Sequence, residues 1–220
     1  MTSQDLSLTR PQVSRTKILW QRFSRNRAAV LGLVLFIAVV LIALLADVIA
    51  PGDPLRRAGD PLVWPFLNAA TPLGTDQLGR DIMAGIFHGA RISLLIGVVA
   101  TLISIAIGII IGALAGYYGG WVDDVLMRIT EAFQTVPSFV LLLTLVAIFG
   151  SSIENIIICI GIVSWTAPAR MVRAEFLALR KREFIDAARN LGVGNVSIIF
   201  REILPNALPP VIVFASVVMA

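Results

Sequence analysis

An all-α membrane protein, folded as a polytopic helical bundle, is what this sequence predicts, on three observations. Apolar residues make up 57% of the 220 positions and charged ones only 15%, against about 45–50% and 25% in ordinary soluble domains. The apolar residues are gathered into long uncharged runs, which gives a mean hydropathy of +0.87. The basic residues fall almost wholly between alternate runs. A water-soluble fold of this length cannot hide so much apolar surface, so a soluble enzyme or binding domain is excluded first.

The first run, 28–46, reads AAVLGLVLFIAVVLIALLA. As a helix it spans about 28 Å, close to the roughly 30 Å hydrocarbon core of a bilayer. Thirteen of its nineteen residues are Leu, Ile, Val or Phe, and at roughly −0.3 to −0.6 kcal/mol each their insertion gains about 4–8 kcal/mol. Asp47 and then Pro51-Gly52-Asp53-Pro54 stop it. The long basic leader, the length of the run and Pro51 argue for a signal anchor over a cleaved signal peptide.

The second run, 92–122, is longer than one crossing needs, so its tail from about Tyr117 should emerge at the interface. The third, 132–153, has Pro137 near its start. The fourth, 155–169, is short and should end at Pro168, with Arg170 snorkelling to lengthen it. The fifth, 203–220, contains Pro205, Pro209 and Pro210. The ten residues from Val211 onward span only about 15 Å of helix, so this reading expects the fifth crossing to be truncated. Between the first two runs the 51–91 loop ends in a stretch from about Asp76 with Leu78, Ile82, Met83 and Ile86 on one face, expected as a helix on the membrane surface. His88, the sole histidine, reads there as a solvated residue.

Orientation follows from the basic residues. Arg10, Arg15, Lys17, Arg22, Arg25 and Arg27, with Arg128 and the seven basic residues from Arg170 to Arg201, lie on one side. Arg56, Arg57, Arg80 and Arg91 lie on the other. Fourteen against four places the amino terminus and the 170–201 segment in the cytoplasm. The basic excess is therefore a topology signal, and nucleic acid is not expected as a partner.

Several chemistries are disfavoured. No Asp, Glu, Lys, Arg or His falls inside an uncharged run, whereas ion-coupled carriers keep such groups as coupling sites. With one His and one Cys (Cys159, in an apolar run) no metal site and no catalytic residue are expected. Neither Lys17 nor Lys181 follows a glycine, so the phosphate-binding GxxxxGK[ST] loop is absent and any ATP must be bound by another polypeptide. Within the second run Ala100, Ser104, Gly108, Gly112 and Gly116 recur every four residues, a small face suited to close helix packing.

The segment 180–205, RKREFIDAARNLGVGNVSIIFREILP, is longer than a linker requires. Phe184, Ala188 and Leu191 form an apolar stripe on a short amphipathic helix. Gly192 or Gly194 ends that helix through a left-handed cap. Asn195 or Ser197 starts another, carrying Ile198, Ile199, Ile203 and Leu204 up to Pro205. So short a helix is marginal in water unless its stripe is covered. Periodicity leaves three covers open: its own bundle, a groove on another protein, or anionic lipid drawn to Arg180-Lys181-Arg182.

Asp186-Ala187-Ala188, then Gly192, then Leu204-Pro205 resembles the "EAA" motif of permease subunits of bacterial ABC importers. TPLGTDQLGRDIMAGIFHGARISL (71–94), AGYYGGWVDDVLMR (115–128) and SWTAPARMVRAEFLALRKREFIDAARNLG (164–192) are similar to the C-type permease of the dipeptide/oligopeptide/nickel branch. The likeness covers about residues 15–220. Asp186 replaces the motif's Glu and keeps its charge, and Glu202 stands where the motif often has Ile.

The resemblance implies a six-crossing ABC importer permease fold, of which about five crossings are present here. It implies 1–27 as a cytoplasmic basic segment, 28–50 as the anchor, 51–91 as an extracytoplasmic loop, and 92–220 as the permease core with coupling helices at about 180–204. The implied partners are a second homologous permease, two ATP-binding subunits that hold ATP and Mg, and an extracytoplasmic substrate-binding protein. Phe184, Asp186, Ala187, Ala188, Leu191 and Gly192 would dock the ATPase subunit, with a charge at Ala188 expected to block docking. Short peptides are the implied cargo, with nickel or glutathione as alternatives inside the family; substrate-binding residues are not assigned. Outside the family, the alternatives are a self-contained carrier or channel, or a noncatalytic fragment. Residues 51–90 are expected to react with membrane-impermeant labels from outside intact cells, and residues 180–200 only after permeabilisation. The reverse labelling pattern would overturn the orientation.

Overall fold

The computed structural model describes residues 20, 21 and 23–219. Arg10, Arg15, Lys17 and Arg22 of the orientation argument lie outside the described residues, as does Ala220. Among the described residues the regular structure is helical, apart from the isolated bridges Arg57–Arg80 and Thr75–Asp81. The chain forms two compact units, Met1–Ile92 and Ser93–Ala220.

In the first unit, helix α1 (Arg27–Leu44) is capped by Asn26, whose side chain accepts from the Ala29 N–H. Its apolar residues, among them Leu31, Phe36, Leu41 and Leu44, face outward, as a lipid-embedded helix requires. Leu45 interrupts it before a single turn, α2 (Ala46–Ile49). Among the described residues three helical stretches are long and apolar enough to cross a membrane, Arg27–Leu44, Ile82–Tyr118 and Asn195–Val217, or up to five if each of two bent helix pairs makes one span.

The loop beyond α2 is built on hydrogen bonds rather than a core. Thr75 Oγ1 donates to the Asp60 carbonyl and accepts the Val63 N–H, while the Leu62 N–H reaches the Asp76 carbonyl. Gly74 lies so close that a β-carbon there would stand 2.2 Å from the Val63 carbonyl oxygen. Leu62 and Phe66 are held at φ 58° and 66°, costing about 1–2 kcal/mol each for a residue with a β-carbon. The surface helix expected from Asp76 is corrected. Asp76 instead makes a turn, its carboxylate accepting the N–H groups of Leu78 and Arg80, and helix α3 (Ile82–Tyr118) starts after Asp81, which caps Met83.

Helix α3 has 37 residues, about 55 Å, and is continuous through the expected boundary at Ile92. His88 is likewise corrected from a solvated loop residue to a largely covered residue within α3. Its Nε2 lies 3.0 Å from the Ala50 carbonyl oxygen; a carbonyl only accepts, so Nε2 carries the proton and donates. Arg91 pairs with Asp47 at 2.7 Å. These two links tie the roots of the loop together.

In the second unit, α3 ends at Tyr118, because Gly119 and Gly120 both take left-handed backbone (φ 66° and 55°). Helix α4 (Gly120–Thr135) follows, then α5 (Ser138–Phe149), bent from it by 84°. The crossing expected over 132–153 is broken within its length, and α4 with α5 still passes as one bent span: Pro137 has no N–H and disfavours helical backbone at Val136, and Gly150 (φ 94°) ends α5. Helix α6 (Ile153–Ser164), capped by Ser152, packs on α5. The fourth crossing does not end at Pro168. The chain bends by 41° at Trp165 and continues as α7 (Thr166–Leu179), with Pro168 in the first turn, where a missing N–H costs no helical bond.

Helix α8 (Glu183–Asn190) is followed by one turn, α9 (Asn195–Ser197), a π-helical turn (Ile198–Ile203) and α10 (Leu204–Met219). The helix expected to stop at Pro205 instead runs through it. In the wide turn the Leu204 N–H reaches back five residues to Ile199; α-helical spacing would drive the Pro205 ring against the Arg201 carbonyl. Val172, Phe176, Ile185, Ile198, Ile203 and Val211 form the buried core of this unit.

The small face of α3 sets how closely α7 approaches. A β-carbon would stand 2.8 Å from Pro168 Cβ at Gly108, 2.4 Å from the Ala169 oxygen at Gly112, and 2.5 Å from Phe176 Cβ at Gly116. The contacts advance by four residues on both helices together, so α3 and α7 run parallel. Ala100 and Ser104 are buried on the same stripe, where Gly161 of α6 meets Ile103 and the Ala100 oxygen. Gly112→Val should lower the thermal unfolding midpoint in detergent, since overpacking costs about 1–3 kcal/mol. Gly32→Ala, with nothing within 4 Å, should leave it in place; equal midpoints for both variants would refute the close approach.

Candidate functional site

The site predicted around α8 is assembled at the carboxyl ends of α3 and α7. Helix α7 delivers the chain to Arg180, whose guanidinium donates to the Tyr117 carbonyl at 3.2 Å. The Tyr117 hydroxyl donates to Asn195 Oδ1 at 2.8 Å, and Arg189 stacks over its ring, 5.7 Å from the centroid. Tyr117, itself buried, thus meets the residues before, within and after α8.

Helix α8 ends in a Schellman motif. The Gly192 N–H reaches the Arg189 carbonyl and the Val193 N–H reaches the Ala188 carbonyl, with Gly192 at φ 77°. This pairing satisfies the last carbonyls of the helix and needs a residue that tolerates left-handed backbone. Asp186 lies 3.5 Å from Arg189 across one turn, a surface pair worth little to stability.

The sequence-derived stripe is redrawn here. Ile185 is completely buried in the core beside Phe176, Ile198 and Ile203, and its burial contributes about 1.5–3 kcal/mol. Ala188 and Val193 pack partly against the same core. Phe184 is 42% exposed and Leu191 84% exposed, and Asp186, Ala187 and Gly192 are exposed with them. Periodicity grouped Phe184, Ala188 and Leu191 and passed over Ile185, yet α8 has an inward anchor, Ile185 with Ala188, and an outward face through Phe184, Ala187 and Leu191.

An ion pair missed in the sequence reading braces α4 against α7. Arg173 donates through Nε and a terminal nitrogen to the two carboxylate oxygens of Asp123, the second contact at 2.6 Å. Asp123 is buried, so the bidentate geometry answers for its desolvation. Asp123 and Asp124 are consecutive and so about 100° apart around α4; only Asp123 is buried.

The two helix bends meet around one cavity of about 270 Å³, lined by residues including Gln134, Pro137, Ser138, Val163 and Thr166. Gln134 Nε2 donates to Thr166 Oγ1 at 3.0 Å, joining the two interruptions. Among the described residues no group of three or more His, Cys, Asp or Glu is placed to hold a metal.

The family described as "Binding-protein-dependent transport system inner membrane component" matches residues 108–220, which contain α8 and everything it packs on. A second, the "N-terminal TM domain of oligopeptide transport permease C", matches residues 14–69. The di/tripeptide transport system permease protein DppC of Pseudomonas aeruginosa is 37% identical over 97% of this chain and 72% of its own length. The dipeptide transport system permease protein DppC of Haemophilus influenzae is 35% identical over 95% of this chain and 72% of its own. The glutathione transport system permease protein GsiD of Pectobacterium atrosepticum is 36% identical, over 90% and 65%. With an all-helical bundle, a close-packed α3–α7 pair and matches along most of its length, this chain belongs to the family of binding-protein-dependent transport system inner membrane components.

Proposed function

We propose that the chain is one permease subunit of an ATP-driven importer of short peptides, paired with a second permease and powered by separate ATP-binding subunits. The observation that carries this reading is the two-sided α8. Ile185 fastens the helix to its own bundle while Phe184, Ala187 and Leu191 are left uncovered, as a part that transmits force between two bodies must be. The ATPase subunits, with their ATP and Mg, would sit on this outward face, and a substrate-binding protein would deliver cargo from the opposite side of the membrane. The amino terminus would then be cytoplasmic and the 51–91 loop extracytoplasmic.

Short peptides are supported as cargo by the names of the relatives, since dipeptides, tripeptides and glutathione share free termini and amide bonds. The bends at Pro137 and Trp165 are where peptide groups could be met. Gln134, Ser138 and Thr166 bring amide and hydroxyl groups to this cavity beside the apolar side chains of Phe133, Val136, Leu141 and Val163. Alternating access would be a two-state equilibrium of the bundle, biased through α8 by nucleotide-driven closure of the ATPase pair.

Leu191→Asp and Ala187→Arg test this reading better than a charge at Ala188, which packs partly on the core. Both variants should reach the membrane at normal levels and keep their unfolding midpoint, yet lose co-purification of the ATPase subunits and at least about tenfold of ATP-driven dipeptide uptake, equivalent to about 1.4 kcal/mol of docking energy. Full co-purification with unchanged uptake would overturn the reading. Uptake driven by an ion gradient with no ATPase present would replace it with a self-contained carrier.

A further inference from the structure

The loop of the first unit carries a feature that the docking and cargo reading above leaves unassigned. Residues 61–75, PLVWPFLNAATPLGT, contain no charged residue and no histidine, although Asp53, Arg56, Arg57 and Asp60 precede them and Asp76, Arg80 and Asp81 follow. Within this stretch Leu62 is 66% exposed, Trp64 76%, Phe66 84% and Leu67 75%. An exposed aromatic cluster of this kind is uncommon on a surface that meets only water.

The cluster is also held in place. Thr75 bonds the backbone on both sides of Pro61 and Leu62, the Phe66 N–H donates to the Pro72 carbonyl, and the Gly74 backbone is pressed against Val63, Trp64 and Pro65. Leu62 and Phe66 keep left-handed backbone, which neither side chain favours. The fold therefore fixes the tip in the conformation that turns Trp64, Phe66 and Leu67 outward. At its base the loop is closed by His88 on the Ala50 carbonyl and Arg91 on Asp47, so it folds back beside the ends of two apolar helices.

We propose that the 61–67 tip is a membrane-contact element, with Trp64, Phe66 and Leu67 seated at the boundary between headgroups and acyl chains of the leaflet where α1 ends. Lipid fits this patch better than a soluble protein does. A protein partner is steered and oriented by charge, and the fifteen residues of the tip itself offer none, the exposed Arg57 and Asp60 preceding it. The headgroup boundary selects amphipathic aromatic rings and apolar side chains and needs no charge. The inference rests on α1 crossing the bilayer and is independent of cargo and ATPase docking.

The experiment uses the full chain carrying Cys159→Ser with Phe66→Cys, Leu67→Cys or Arg56→Cys, each labelled with an environment-sensitive nitrobenzoxadiazole dye. The proteins are reconstituted in vesicles of phosphatidylethanolamine and phosphatidylglycerol. Labels at 66 and 67 should emit at shorter wavelength than the label at 56. They should lose most of their emission to phosphatidylcholine carrying a doxyl group high on its acyl chain, and little to aqueous iodide; the label at 56 should show the reverse. Labels at 66 and 67 that iodide quenches as strongly as at 56 would overturn the proposal. So would labels shielded only after a substrate-binding protein is added, an outcome that makes the tip a protein-docking surface. Should Phe66→Cys disturb the strained turn, Leu67→Cys supplies the same reading.

Discussion

The parallel approach of α3 and α7 along Gly108, Gly112 and Gly116 is the constraint on which the second unit depends. In lipid there is little hydrophobic gain in pressing two apolar helices together, so association rests on close backbone contact. Each glycine admits the α7 backbone to a distance at which a single methyl would collide. That approach fixes the register of α7, the register places Arg180 at the Tyr117 carbonyl, and Tyr117 in turn reaches Asn195 beyond α8. The position of a polar helix is thus decided by a stripe of missing side chains many residues away.

Much of this was legible in the sequence, because the signals were of the kind that composition carries. Uncharged runs marked α1, α3 and α10, and the four-residue recurrence of small residues marked the α3 face. Glycine punctuation marked the end of α8. Sequence reading went astray where a proline carries two meanings. Pro168 reads as a stop, yet in the first turn of α7 it is harmless. Pro205 reads as a stop too, yet a wide turn before it lets the helix continue. Pro137 lies inside one apolar run and separates two helices by a sharp angle. Hydropathy sees only that a run is apolar; whether it is straight depends on where each missing N–H falls within a turn.

The α8 region shows a different limit. Periodicity finds an apolar stripe but not how many bodies share it. In the fold, Ile185 belongs to the bundle and Phe184 and Leu191 do not, a division set by how the helix is rolled on the core. The Asp123–Arg173 pair was hidden for a related reason: charges outside the apolar runs were counted for orientation, and a count does not say which of them are buried together.

The prolines of α10 carry one more implication. Pro209 and Pro210 have no N–H to offer, so the carbonyl oxygens of Pro205 and Asn206, four residues earlier, receive no helical donor. Both of these residues lie on the exposed side of the helix. Bare peptide oxygens cost several kcal/mol among acyl chains, so this strip of the last helix is the flank that must turn away from the hydrocarbon, toward water or toward a neighbouring subunit's donors.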